Sequence, residues 1–238
     1  MLVGVVDDVD KCSESVWKTC FYSTSLAWGL YLSAARSWSW WYSTDACFDH
    51  VPALYAAPDS LDTDIYMFYV FQLGFYSHSI FAHVFQETHR SDFVEMLVHH
   101  VATLALILCS FSVRLVAGGT LIVIVHDIAD VIFEAAKQLI YRKREFEANI
   151  AFGLWVLSWI VTRLVYFPLY IIHGVVWVSI SKLGYYPMYG LLSTFLLVLL
   201  VLHAFWTIMI FKMIYRMLTG EATKIRDTRE DKPKTKKK

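Results

Sequence analysis

Long apolar stretches separated by short polar ones dominate the hydrophobic pattern of the chain. Six of them approach the ~20 residues that an α-helix needs to cross a hydrocarbon core about 30 Å thick. They lie at about 16–36, 64–86, 93–113, 117–140, 148–172 and 188–215. Most connections are short, so successive helices are expected to be antiparallel neighbours. The pattern predicts an all-α fold, a polytopic membrane bundle of about six transmembrane helices.

Composition agrees with lipid as the main solvent. Of the 238 residues, 57% are hydrophobic and only 18% are charged, whereas an ordinary soluble domain has about 25% charged residues to cover its core. The net charge of zero indicates no affinity for nucleic acid. We divide the chain into a short N-terminal segment (1–10), a transmembrane domain (11–217) and a basic tail (218–238). The longest connection, 37–63, is rich in Asp and Pro and is expected to be an aqueous loop.

The distribution of Lys and Arg predicts the orientation. With six spans, one side of the membrane receives 14 basic residues, nine of them from position 216 onward, and the other side receives only Arg36, Arg114 and Lys182. The positive-inside rule then places both termini in the cytoplasm.

Ionisable residues in two neighbouring spans suggest a site, because a charge at the bilayer centre costs at least ~2.5–3.5 kcal/mol. In the third span, Asp92, Met96, His99 and Thr103 share one helical stripe, with His100 about 100° round from His99. The fourth span has a second polar stripe with His126 at its edge, made of Asp127, Asp130, Glu134 and Lys137. Such stripes must face protein or water.

The hairpin between these two spans predicts the depth of the site. His100 lies 13 residues before Val113, and Asp130 lies 13 residues after Ala117. At a rise of about 1.5 Å per residue, the two meet about 20 Å from the shared turn. We therefore expect a site open to the cytosol, with His99, His100, Asp127 and Asp130 in functional roles. Glu134 and Lys137 are interpreted as a structural ion pair.

Arg163, in the fifth span, has two readings. It pairs with an acid of the fourth span, or it meets an anionic group of a substrate.

A histidine beside a carboxylate acts as a base or nucleophile near neutral pH. Three kinds of activity use such a cluster: acyl transfer, metal chemistry, and proton-coupled transport or lipid sensing. The histidine spacing argues against a di-iron or zinc site, which needs several repeated histidine motifs. Inverted repeats typical of transporters are not detected. No metal or cofactor is predicted.

The two polar spans also resemble a known family. RSDFVEMLVHHVATLALILCS, followed by GGTLIVIVHDIADVIFEAAK, resembles the Lag motif of the ceramide synthases within the TLC-domain family. The segments KCSESVWKTCFYS, FQLGFYSHS and WIVTRLVYFPLYII resemble the flanking parts of that domain. The resemblance covers about residues 11–217.

The resemblance implies an N-acyltransferase of the endoplasmic reticulum membrane that joins a sphingoid base to the acyl group of a fatty acyl-CoA, its co-substrate. Carried over, His99 takes the acyl group as an acyl-imidazole, His100 supports it, and Asp127 orients an imidazole or accepts the amine proton. Asp130 and His126 complete the catalytic set.

The resemblance also suggests how the co-substrate is held. CoA is a polyanion that must stay in cytosolic water, so basic residues on that side are candidates for its phosphates, although a positive-inside bias explains them equally well. With Arg163, the candidate substrate-binding residues are Arg90, Arg142, Lys143 and Arg144. The ending KTKKK resembles a retrieval signal for the endoplasmic reticulum. The family is compatible with homo- or hetero-oligomers.

Overall fold

The computed structural model describes residues 2–36, 38, 46–49, 51–52, 61–86 and 91–219. These residues form helices and contain no strand, which confirms the all-α fold. The helices are α1 Leu2–Ala35, α2 Ala46–Asp49, α3 Thr63–Phe85, α4 Phe93–Ser112, α5 Val116–Tyr141, α6 Glu145–Trp159, α7 Ser179–Leu183 and α8 Tyr189–Leu218. Two π-helical segments, Ile160–Ile172 and Gly174–Val178, connect α6 to α7, and Pro168 lies within the first.

Within the described residues, four helices are long and apolar enough to cross a membrane. They are α4, α5, the continuous helix Glu145–Leu183, and α8. The two remaining predicted spans correspond to α1 and α3, which do not meet the same test. Charged residues lower the hydropathy of α1, and Gln72, His78 and neighbouring serines lower that of α3. A total of about six spans therefore stays a prediction.

Helix α5 is the centre of the bundle. Of its apolar window 56% is buried, against about a third or less for the other three candidate spans. Its most extensive partner is α1, so the first helix packs along the fourth predicted span. Gly29 permits this approach, because a Cβ added there would lie 2.8 Å from Cγ1 of Ile124. Ile124 is completely buried.

Two short turns fix the order of the central helices. The turns after α4 and α5 each contain a residue with a positive φ, Arg114 at 56° and Lys143 at 59°. After α4, the N–H of Leu115 donates to the carbonyl of Ser110 at 2.8 Å, and after α5 the N–H of Arg144 donates to that of Leu139 at 3.0 Å. These are Schellman-type ends, which satisfy free helix carbonyls within a tight turn. Successive helices are therefore antiparallel neighbours here, as predicted.

The connection between α1 and α3 departs from the expected aqueous loop. Among its described side chains, Asp49, Pro52 and Asp62 are exposed, but Trp38, Cys47, Phe48 and Val51 are buried, so the prediction is wrong for these four residues. The apolar residues pack with α2 against the bundle, while Asp49 at the end of α2 pairs with Lys182 of α7 at 2.5 Å. Burial raises the pKa of the Cys47 thiol to about 12.

Candidate functional site

A deep cavity of about 550 Å³ lies among α1, α3, α4, α5, α6 with its π-helical continuation, and α8. This volume is typical of pockets that enclose a small-molecule ligand, about 300–1,000 Å³. Four of the predicted site residues line it: His99, His100, Asp130 and Arg163. The structure therefore brings the histidine pair of one polar stripe to the same cavity as an acid of the other.

The histidine pair lies on α4 between aromatic neighbours. The ring centroids of His99 and His100 are 5.6 Å apart, and His99 meets the ring of Trp206 edge-on at 5.4 Å. Nδ1 of His99 is buried and has no hydrogen-bond partner among the described residues. His100 lies near Tyr76 and His83, with ring separations of 6.3 and 5.8 Å. The cavity therefore holds two adjacent imidazoles.

Arg163 forms an ion pair at the wall of the cavity. Its guanidinium donates to Oδ1 of Asp130 at 3.0 Å and to the backbone carbonyl of His126 at 3.1 Å. It also lies over the ring of Trp159, 5.2 Å from the centroid. Arg163 is 3% exposed, and a charge this enclosed requires a compensating partner. The first of its two readings, pairing with an acid of the fourth span, is confirmed, and the residue still lines the cavity.

Two of the predicted catalytic residues lie outside the cavity wall. The ring of His126 packs against Phe167 and His203, and its Nδ1 lies 2.7 Å from the carbonyl of Ile122. Asp127 is completely buried, and neither of its carboxylate oxygens makes a direct hydrogen bond to a described residue.

Asp127 lies near Ser25 of α1, whose hydroxyl accepts a 2.6 Å hydrogen bond from Gln72 of α3. Asp127 therefore faces the α1 side of α5, while Asp130, one turn away, faces the cavity.

Three of the predicted phosphate-binding residues are not at the cavity either. Arg142, Lys143 and Arg144 are exposed in the turn after α5, where Arg144 pairs with Glu147 at 3.2 Å. Arg90 lies outside the described residues.

Besides Arg163, the described cations that line the cavity are Lys11 and Lys18 of α1 and Lys137 of α5. Lys18 pairs with Glu14. In the sequence, Lys11 and Lys18 are seven residues apart, which places them on one helical face. This spacing is the signal that could have identified them.

Lys137 also belongs to the structural ion pair predicted with Glu134, which the structure confirms. Its Nζ lies 3.0 Å from Oε1 of Glu134. Oε2 of Glu134 accepts a 2.7 Å hydrogen bond from Ser15 of α1. Glu134 is thereby committed to holding α1 against α5, with only 4% of its surface exposed.

The sequence reasoning missed the contribution of α8. Trp206 lines the cavity, and its indole N–H donates to Oδ2 of Asp92 at 3.3 Å, which links α8 to the start of α4. His203 also lines the cavity and is completely buried. The two residues are three apart and so share a helical face, a weak signal in an otherwise apolar helix.

In the part of the chain that the structure describes, no group of three or more His, Cys, Asp or Glu side chains is arranged to hold a metal ion. The absence of a cofactor stays a prediction. The arrangement offers a nucleophilic imidazole, a fixed guanidinium and further imidazoles in a cavity with one largely apolar wall, a combination suited to acyl transfer.

Comparison with known proteins gives consistent matches over almost the whole chain. A family model described as the TLC domain matches residues 11–212. The chain is 38% identical to ASC1-like protein 3 of Oryza sativa subsp. japonica, over 93% of this chain and 77% of that protein. It is 35% identical to ceramide synthase LOH1 of Arabidopsis thaliana, over 94% and 73%. It is 31% identical to ceramide synthase 1 of Homo sapiens, over 94% and 65%.

Proposed function

Because the chain belongs to the ceramide synthase family of TLC-domain proteins, we propose that it is an N-acyltransferase. It joins the amine of a sphingoid base to the acyl group of a fatty acyl-CoA, giving a ceramide or dihydroceramide and free CoA. The observation that carries the proposal is the placement of His99 and His100 in an enclosed cavity beside the Arg163–Asp130 pair.

The two walls of the cavity suit the two parts of an acyl-CoA. Residues of α6 and α8 give an apolar wall for an alkyl chain: Phe152, Trp155, Met209, Ile210 and Met213. The side formed by α1 and the last turns of α5 has Lys11, Lys18 and Lys137, which suit the phosphates of CoA. We assign CoA binding to these lysines in preference to the exposed cations of the turn after α5.

We propose that His99 takes up the acyl group. A neutral imidazole nitrogen attacks the thioester carbonyl, the carbon–sulfur bond breaks, and CoA leaves as the thiol with the imidazole proton. The amine then attacks the acyl-imidazole, the carbon–nitrogen bond to His99 breaks, one proton of the amine passes to the imidazole that is freed, and the amide is released. Arg163 provides a fixed positive charge for the carbonyl oxygen that becomes negative in both steps, and Asp130 holds the guanidinium in place.

The remaining assignments follow from this reaction. His100 supports His99 from the adjacent position, while His126 and Asp127 act through packing behind the cavity wall. The lysines at the α1 side lie on the side of the membrane that the positive-inside rule assigns to the cytosol, where acyl-CoA is soluble. We propose a location in the endoplasmic reticulum membrane, with both termini cytoplasmic.

The test is N-acylation of sphinganine by acyl-CoA in membranes that contain the full chain. The parent should form dihydroceramide, and His99→Ala should lose turnover by about 10³-fold or more, because the nucleophile is gone. The matched control is His173→Ala, at an exposed position outside the cavity, which should retain the parent rate.

Intact-mass measurement after incubation with acyl-CoA alone should show an acyl adduct that is missing from His99→Ala. Product formation without any adduct would replace the acyl-histidine step by direct attack of the amine. A parent chain without turnover would favour the alternative, a lipid sensor or scaffold.

A further inference from the structure

His203 of α8 is a buried imidazole that has no hydrogen-bond partner among the described residues. Its exposure is 0%, it lines the cavity, and neither ring nitrogen bonds to any described residue. Buried polar side chains are nearly always hydrogen-bonded, because an unpaired one costs about 1–3 kcal/mol. An apolar residue of the same size would fill this position at a lower free-energy cost, so we expect the ring nitrogens to have a function.

Three aromatic side chains fix the position of the His203 ring. Phe167 and Trp159 meet it edge-on, with ring centroids 4.8 and 5.9 Å away, and His126 lies at 5.3 Å. The contact between Nδ1 of His126 and the carbonyl of Ile122 requires that Nδ1 carry a proton, since a carbonyl only accepts. The packing holds the His203 ring at the cavity wall, and neither of its nitrogens is paired with a described residue.

The proposed reaction requires a proton acceptor at this point. A sphingoid base enters as an ammonium, and the balance is R–NH₃⁺ plus acyl-S-CoA giving the amide, CoA-SH and one proton. That proton must leave an enclosed site. The carboxylates that line the cavity are already paired: Asp130 with Arg163, Glu134 with Ser15 and Lys137, and Glu14 with Lys18. His99 is occupied by the acyl group.

We propose that His203 is the catalytic base for the amine substrate, an inference that rests on the proposed function. As the ammonium enters the cavity, its N–H bond breaks and the proton moves to a nitrogen of His203. The amine lone pair that this frees attacks the acyl-imidazole on His99, and His203 later returns the proton to water through the open side of the cavity. The titratable and charged groups that face His203 are His99 from α4, His126 from α5 and Arg163 from the π-helical segment.

The two half-reactions separate this role from a structural one. The full-length protein is prepared as His203→Gln, which keeps polarity without a base, and as His203→Phe, which keeps the aromatic packing. With acyl-CoA alone, both variants should release CoA and form the His99 adduct at rates within about threefold of the parent. With sphinganine at pH 7, amide formation should fall by about 10²–10⁴-fold.

The dependence of the rate on pH provides a second readout, because at higher pH a larger fraction of the sphinganine amine is already deprotonated. Amide formation by both variants should therefore recover toward the parent rate between pH 7 and pH 9, whereas adduct formation should not show this recovery. His173→Gln, at an exposed position, is the control and should behave as the parent.

The outcomes distinguish the two proposals. If the parent makes dihydroceramide and His203→Gln or His203→Phe does so at the parent rate, His203 is not the base. Equal losses of adduct and amide in both variants, without recovery at high pH, would also overturn the proposal and leave a packing role. If the parent itself makes no dihydroceramide, the proposed function fails.

Discussion

Adjacent glycines at the start of α5 provide a sharp test of the packing. A Cβ added at Gly119 would lie 2.1 Å from Oη of Tyr69 and 2.7 Å from Oγ of Ser110, whereas one added at Gly118 would have no atom within 4 Å. The Tyr69 hydroxyl is buried and donates to the carbonyl of Val116 at 3.2 Å. It also lies within hydrogen-bond distance of Oγ of Ser110, at 3.3 Å. Gly119→Ala must therefore displace a hydrogen-bonded hydroxyl, and Gly118→Ala displaces nothing.

The two substitutions are expected to change the free energy of unfolding in opposite directions. Alanine is favoured over glycine within a helix by about 0.8–1.0 kcal/mol, which applies to both positions. At Gly119 the overpacking costs about 1–3 kcal/mol, and each hydrogen bond lost by Tyr69 costs a further ~0.5–1.5 kcal/mol. We expect Gly119→Ala to lower the free energy of unfolding by about 1–5 kcal/mol and Gly118→Ala to raise it by up to ~1 kcal/mol.

Thermal unfolding of the purified full-length protein in one detergent measures both effects. Gly119→Ala should unfold at a lower temperature than the parent, and Gly118→Ala at the same or a higher one. Adding Tyr69→Phe to Gly119→Ala should recover part of the loss, because it removes the oxygen that the new methyl group meets. The reasoning is refuted if the two alanine variants unfold at the same temperature.

Three further predictions concern the site and its surroundings. Asp130→Asn should destabilise the protein by about 3–5 kcal/mol because it leaves a buried guanidinium unpaired. Adding Arg163→Met should restore stability in an unfolding assay but should not restore turnover in an activity assay. In steady-state kinetics, Lys137→Gln should raise KM for acyl-CoA at unchanged kcat, and Arg144→Gln should change neither. Cys47 should react with a maleimide only after unfolding, since the residue is 2% exposed and burial raises the pKa of its thiol to about 12. Rapid labelling of the native protein would contradict this burial.

The sequence predicted helices and their order well, because both depend on local properties. Apolar runs of sufficient length specify the helices that cross lipid, and the positive φ of Arg114 and Lys143 follows from connections of only a few residues. The connection before α3 was mispredicted because it is rich in Asp and Pro, although it also contains apolar residues that become buried. Phe48 and Val51 are buried through contact with residues far along the chain, and no local pattern signals such burial.

The candidate site shows which part of a membrane site a single sequence can predict. Helical rise determines depth, so the hairpin alone predicted that His100 and Asp130 lie near each other, and both line the cavity. Rotation about the helix axis is set by tertiary packing, here by the close approach of α1 to α5 at Gly29. That rotation turns Asp130 to the cavity and Asp127 to α1, although the two residues share one polar stripe.

The sequence alone assigns no role to His203, because a lone histidine is usually a hydrogen-bonded side chain. It is the single ionisable residue in the apolar run of α8 between Tyr189 and Phe211, so no stripe marks it, and only folding brings it against His126 and the cavity that holds His99. A lone histidine costs least where it faces lipid headgroups or protein partners. The ring of His203 packs among aromatic side chains, but neither of its nitrogens bonds to a described residue, and this unpaired polar group points to a function that no stripe in the sequence indicates.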